Sequence, residues 1–209
     1  MEPQGKETER SGFVEEPRNM ANHLAIYSFA QSLRNYLQQS HSAFTPTLPA
    51  AVFEVLSSGR FSTIAETIQD PSVTIYLHRM TINNHLRNTR VGPAVGPLGL
   101  DLHFLLTVWS NDVEAEYTLM GWAMRQLHHH AYLDRSSLSA DAKWAADEVV
   151  NLSPAELSSE EMARIWEASH RGYRLSYPFI ARVVRLAIEQ DDALPVVATR
   201  FTLTESPTA

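Results

Sequence analysis

Three consecutive histidines, His128, His129 and His130, are the run that first invites a metal reading. Neighbouring residues on a helix point about 100° apart, whereas two imidazoles on one ion need i and i+4 spacing. The run therefore reads as the last turn of a helix, where imidazoles meet the negative end of the helix dipole. Asp101 and His103 lie two apart on one strand face, within reach of a hydrogen bond. As a hydrolytic dyad they would need a nucleophile and an oxyanion donor. The chain has no G-x-S-x-G elbow, so the simpler reading is a satisfied polar pair on a partly buried face. His23, His41, His78, His85 and His170 are scattered and show no H-E-x-x-H spacing. Residues 92–99 are glycine-rich, but their prolines remove amide donors that a phosphate cradle needs, and the P-loop Lys and Ser/Thr are missing. With no cysteine, thiolate catalysis, disulfides and Cys-ligated metal centres are excluded. No catalytic, cofactor-binding or metal-binding residue is assigned, and the chain reads as a non-enzyme.

Charge narrows the partners. The 17 Lys and Arg against 24 Asp and Glu leave a net charge of −7, which disfavours nucleic acid and anionic membrane surfaces. Arg79, Arg87 and Arg90 form one small basic cluster, and Arg171, Arg174, Arg182 and Arg185 another. In an acidic chain these pair within the fold or meet acidic patches on neighbouring subunits. No stretch approaches the roughly 20 apolar residues of a membrane span. Residues 1–19 are charged and lack the apolar segment of a secretory signal, which points to synthesis and retention in the cytoplasm.

The elements that must position these residues follow from periodicity. Residues 1–19 are expected to be a disordered leader, with Met20 an alternative start, and 204–209 a flexible tail. Between them, 20–203 reads as a single domain. Helical spacing of Ile26, Phe29, Ala30, Leu33, Tyr36 and Leu37 predicts a helix over 20–39. A connection over 40–51 leads to a short strand at 52–56 and a turn at 57–59. Val73, Ile75 and Leu77 alternate as one face of a strand, and the pattern slips at Arg79-Met80, as at a bulge or a strand end. Residues 91–99 are a loop. The strongest strand, 98–109, is apolar on its second face as well, and so is central in its sheet or covered by a partner. Asn111 or Asp112 caps the next helix, whose stripe is Val113, Tyr117, Met120, Met124 and Leu127. Residues 131–146 show no readable pattern. A strand follows at 148–152, then a helix opened by a Ser158/Glu161 capping box, with Met162, Ile165 and Trp166 inward. Strands at 177–188 and 196–203 close the chain. The order predicts an α+β fold with a largely antiparallel or mixed sheet and helices packed against it.

Three stretches together resemble one family, the cap or tail-terminator proteins of contractile injection systems, in their N-terminal domain. The first is Leu77-His78-Arg79-Met80 with the following Asn83-Asn84-His85-Leu86-Arg87-Asn88. The second, and most specific, is residues 100–107 with Gly121, Ala123-Met124 and Leu127-His128. The third runs through 157–166, then Tyr173-Arg174-Leu175-Ser176 and Arg182-Val183-Val184-Arg185. Two features depart from the family pattern: His78 stands where an aromatic is usual, and Arg171-Gly172 replaces a Pro-containing turn.

The resemblance implies a tail-terminator-like fold and a homo-hexameric ring that closes the baseplate-distal end of an inner tube and its sheath. Such a ring stops polymerisation and couples sheath to tube within a phage-tail-like particle, cytoplasmic or released. It implies no cofactor and no catalytic residue, with tube and sheath proteins as partners. Some members carry a further C-terminal domain, before which this chain is expected to end. Aromatic and Arg anchors dominate most interfaces, which puts Arg87, Trp109, Phe179, Arg182, Arg185 and Phe201 forward as interface residues. Residues 196–203 would add a strand to, or accept one from, a sheath subunit. The rival role is an adaptor of the same particle for membrane attachment or cargo recruitment; a hydrolase using Asp101 and His103 is the remaining alternative.

Overall fold

Helix α1, Ala25–Ala43, forms where Phe29, Ala30, Leu33 and Leu37 recur at helical spacing, and that stripe is buried. The computed structural model describes residues 21–44, 47–63, 68–83, 97–170 and 172–187. The helix starts later than residue 20, because Ala21 is used in a parallel bridge with Leu186 and the Asn22 side chain accepts the Leu24 amide at 2.9 Å. It also runs past residue 39, to Ala43.

Strand β1, Val52–Leu56, lies where its apolar run predicts. The turn expected at 57–59 is instead the start of a short helix, α2, Ser58–Thr63. The Phe61 amide donates to the Ser57 carbonyl at 2.9 Å, and the extra turn buries Phe61 in a stack 4.2 Å from Tyr76. Strands β2, Ser72–Ile82, and β3, Leu98–Trp109, pair antiparallel throughout. Their register shifts between Leu77 and Arg79, leaving His78 as the extra residue of a bulge, so the slip in the sequence marks a bulge rather than the strand's end.

Helix α3, Val113–His129, opens with the Asp112 carboxylate accepting the Glu114 amide at 3.2 Å. The unreadable stretch after it holds strand β4, Tyr132–Asp134, a turn gathered on the Asp134 carboxylate and a 3₁₀ turn at Ala140–Ala142. Strand β5, Val149–Pro154, helix α4, Ser159–Ala168, and strand β6, Ser176–Leu186, follow. The capping box on α4 is formed in both directions. The strand expected at 196–203, the leader and the tail lie outside the described residues.

Among the described residues six strands form one mixed sheet in the order β1-β2-β3-β6-β5-β4, with β1 and β2 parallel and the other pairs antiparallel. Alternation along β3 divides the core into two layers. Leu102, Phe104, Leu106 and Val108 pack with Phe29, Leu33 and Leu37 of α1 and with Leu119, Trp122 and Ala123 of α3. On the opposite face Leu105 and Trp109 pack with Phe61 of α2 and with Met162 and Trp166 of α4. Of the two alternatives for the apolar second face of β3, the strand is central, between β2 and β6, and its cover comes from the chain's own α2 and α4 rather than from a partner. Each fully buried large side chain in these layers contributes about 1.5–3 kcal/mol.

Candidate assembly surfaces

The residues that suggested chemistry are held apart by the fold. The α3 helix ends at His129, and the His130 amide caps it on the Gln126 carbonyl at 2.9 Å. The His130 ring stacks on Tyr36 at 4.6 Å and on Tyr132 at 5.7 Å, so it joins α1 to the start of β4. Among the described residues no three His, Asp or Glu side chains are placed to hold a metal ion. Asp101 and His103 share a strand face but do not pair. Asp101 accepts from Asn83 Nδ2 at 2.9 Å and from Arg182 Nε at 3.2 Å, while His103 Nε2 meets the Thr81 hydroxyl at 3.0 Å. Each is satisfied by a neighbouring strand, as polar groups on a partly covered sheet must be.

Burial sets the protonation of the bulge. Chiefly through desolvation, then the nearby His103 and Arg79, the His78 imidazole is pushed down to about 4. Burial and Arg79 also lower His103, against the upward pull of Asp101. Both rings are neutral at neutral pH. The His78 ring lines an open groove of about 360 Å³ between α2, β2 and α4, with Phe61, Tyr76, Arg164 and Ile165. Elsewhere Glu148 is buried, and desolvation raises its pKa despite Arg185 at 3.6 Å.

Two of the expected interface anchors are core residues instead. Trp109 is 4% exposed; its indole N–H donates to Thr74 Oγ1 at 2.8 Å, and Trp166 packs edge-on at 5.9 Å. Phe179 is 1% exposed and stacks on Phe104 at 5.4 Å. Their apolar surface packs within the chain's own two layers. Arg182 and Arg185 do reach the surface, half exposed, and are engaged by Asp101 and Glu148. Arg174 is held over the Trp109 ring at 5.7 Å. Arg87 and Phe201 lie outside the described residues.

The surface that sequence reasoning missed is the stripe it assigned inward on α3. Ala115, Leu119, Trp122, Ala123 and Gln126 face the core together with Met120 and Leu127. Val113 and Tyr117 are 59% and 61% exposed, and Met124 is exposed beside them. The helix is apolar on most of its circumference, so spacing alone cannot say which stripe is buried; the weight of Leu119 and Trp122 on one side is the signal that could have decided it. A second apolar surface lies on β2. β1 pairs only as far as Tyr76, so among the described residues the half of β2 from Leu77 to Ile82 has β3 on one side and no strand on the other. Met80 and Ile82 there are 55% and 53% exposed, next to exposed Leu98.

Residues 29–199 match the family model of the Pvc16 N-terminal domain. None of the curated proteins matches the chain in sequence. Among solved structures, the sheath/tube terminator of an extracellular contractile injection system, PVC, in its extended state has the same fold at a TM-score of 0.52. That match is 17% identical and covers 91% of this chain and 66% of the other. The tube-terminating cap of the anti-feeding prophage aligns at a TM-score of 0.49 and 12% identity, over 90% of this chain and 63% of that one. The chain thus spans just under two thirds of the length of either protein.

Proposed function

Because the chain belongs to the Pvc16 N-terminal domain family, we propose that it is a structural cap, a tail terminator at the baseplate-distal end of a contractile injection system. The observation that carries this reading is a fold shared, over 91% of the chain, with a protein described as a sheath/tube terminator. In this reading six copies form a ring that matches the last ring of the inner tube on one face and offers the next ring nothing on the other. Polymerisation stops there, and contacts to the sheath couple it to the tube. Residues 20–203 act as one unit, and no bond is made or broken. Heterologous contacts that close on themselves suit such a ring, because every copy uses the same two unlike surfaces. The exposed stripe on α3 and the free half of β2 supply two such surfaces.

The test is position. With a small electron-dense label on this protein, electron microscopy of assembled particles is expected to show one labelled end per particle, opposite the baseplate. Label along the shaft or at the baseplate contradicts the proposal. A label confined to membrane-attached or cargo-loaded particles instead supports an adaptor.

A further inference from the structure

Gly121 stands at the midpoint of α3, Val113–His129, and on its exposed side. A glycine inside a helix weakens it relative to alanine. The chain's own packing does not require one here, because a Cβ would meet no atom within 4 Å. An exposed glycine at the centre of a helix does let a second helix backbone come close. At about 3.6 residues per turn, two flanks border it. Val113, Tyr117 and Met124 make one flank apolar, with His128 at its edge, and Glu114 and Arg125 lie on the other. All of these side chains are exposed. Arg125 lies over the Phe44 ring at 5.8 Å, and among the described residues neither it nor Glu114 has an ion pair.

Each flank is its own complement when a copy of the helix is turned end for end. About a two-fold axis at Gly121, residues equally far before and after the midpoint meet. Tyr117 of one copy then faces Met124 of the other, and Val113 faces His128, each pair offset by about 1.5 Å along the axis. On the polar flank Glu114 of one copy faces Arg125 of the other, offset by about 4.5 Å, within reach of two long side chains. Antiparallel helices also set the positive start of one beside the negative end of the other.

We propose that two copies of the chain pair through α3, antiparallel and two-fold symmetric about Gly121. The contact is isologous, so it closes at two copies and cannot build a ring. A single helix pair is at the small end of specific interfaces, so this is a weak dimer of the free chain. In the ring reading above, the exposed face of α3 meets another subunit of the ring. The dimer therefore withholds that face until the ring forms; this consequence, though not the contact, rests on that reading.

Analytical ultracentrifugation of the full chain over a concentration series is expected to show a monomer–dimer equilibrium. Gly121→Leu should weaken it about tenfold. The same variant should raise Tm in dilute solution, because leucine is the better helix former. The opposite signs separate a blocked contact from a damaged fold. Glu114→Arg and Arg125→Glu should each weaken the dimer several-fold at low salt, and both changes in one chain should restore it. With no native cysteine, the geometry can also be read by disulfide formation. Under mild oxidation a 1:1 mixture of Tyr117→Cys and Met124→Cys chains should give a bridged dimer, and the double variant should also stop at the dimer. A ladder of bridged species from the double variant would show a head-to-tail contact and overturn the proposal. So would a dimer that Gly121→Leu leaves intact. Monomers at every concentration that still give particles of uniform length would sink the dimer and leave the cap reading standing.

Discussion

Phe104 shows what a single residue does in this fold. It lies fully buried between Phe29 at 5.8 Å and Phe179 at 5.4 Å, joining α1 to β6 across the central strand. Phe104→Ala is expected to cost about 3–5 kcal/mol, read as a shift in the urea midpoint; a shift below about 1 kcal/mol would contradict this packing. His78 makes a different prediction. Its folded pKa of about 4 lies below its ordinary 6.5, so between those values the unfolded chain binds more protons. This contribution to stability is fully present above about 6.5 and is lost as pH falls toward about 4. His103 acts in the same direction, while the raised carboxyl of Glu148 opposes them as pH falls. His78→Gln should therefore reduce the fall in Tm between pH 6.5 and 4.5, by a few degrees on the scale expected for a domain of this size. An unchanged slope would mean the ring is solvated. At this scale the sequence was only partly legible. Asp101 and His103 were recognisable as satisfied polar residues, but their partners, Asn83, Arg182 and Thr81, come from other strands and no local spacing reveals them. Trp109 and Phe179 were read as interface anchors because an apolar aromatic looks the same whether its cover comes from its own chain or another.

The helices and strands were more legible, for physical reasons that differ from one to the next. The capping box of α4, the Asp112 cap of α3 and the bulge in β2 each have a local chemical cause, and each formed. The start of α1 was shifted because a long-range bridge from Ala21 to Leu186 competes with helix, and such a partner is invisible in the local pattern. Residues 131–146 were unreadable because their structure depends on tertiary bonds, such as the Trp144 indole donating to Ser28 Oγ at 3.1 Å. Two predictions belong here. Ser158→Ala removes the cap of α4 and should cost about 1 kcal/mol in thermal unfolding followed by circular dichroism. No loss would mean that burial of Met162 and Trp166 alone holds the helix. Tyr117→Ser, on the exposed face of α3, should change stability by less than about 0.5 kcal/mol in the same experiment. A larger loss would place that stripe in the core after all.

At the scale of the whole molecule, the layered α+β plan followed from the alternation of strands and helices, and family membership from motifs spread along the chain in order. Nothing in periodicity could indicate that helices cover both faces of the sheet, or that β2 outruns β1, which pairs with it only as far as Tyr76. In the proposed reading, the half of β2 that β1 leaves unpaired among the described residues and the exposed stripe of α3 are the surfaces through which a terminator would work. The most direct test of that central claim is the length distribution, by electron microscopy, of particles assembled with and without this protein. Overlong or ragged tubes in its absence, restored to uniform length when it is supplied, are what a terminator requires. Normal, uniform particles without it would contradict the account.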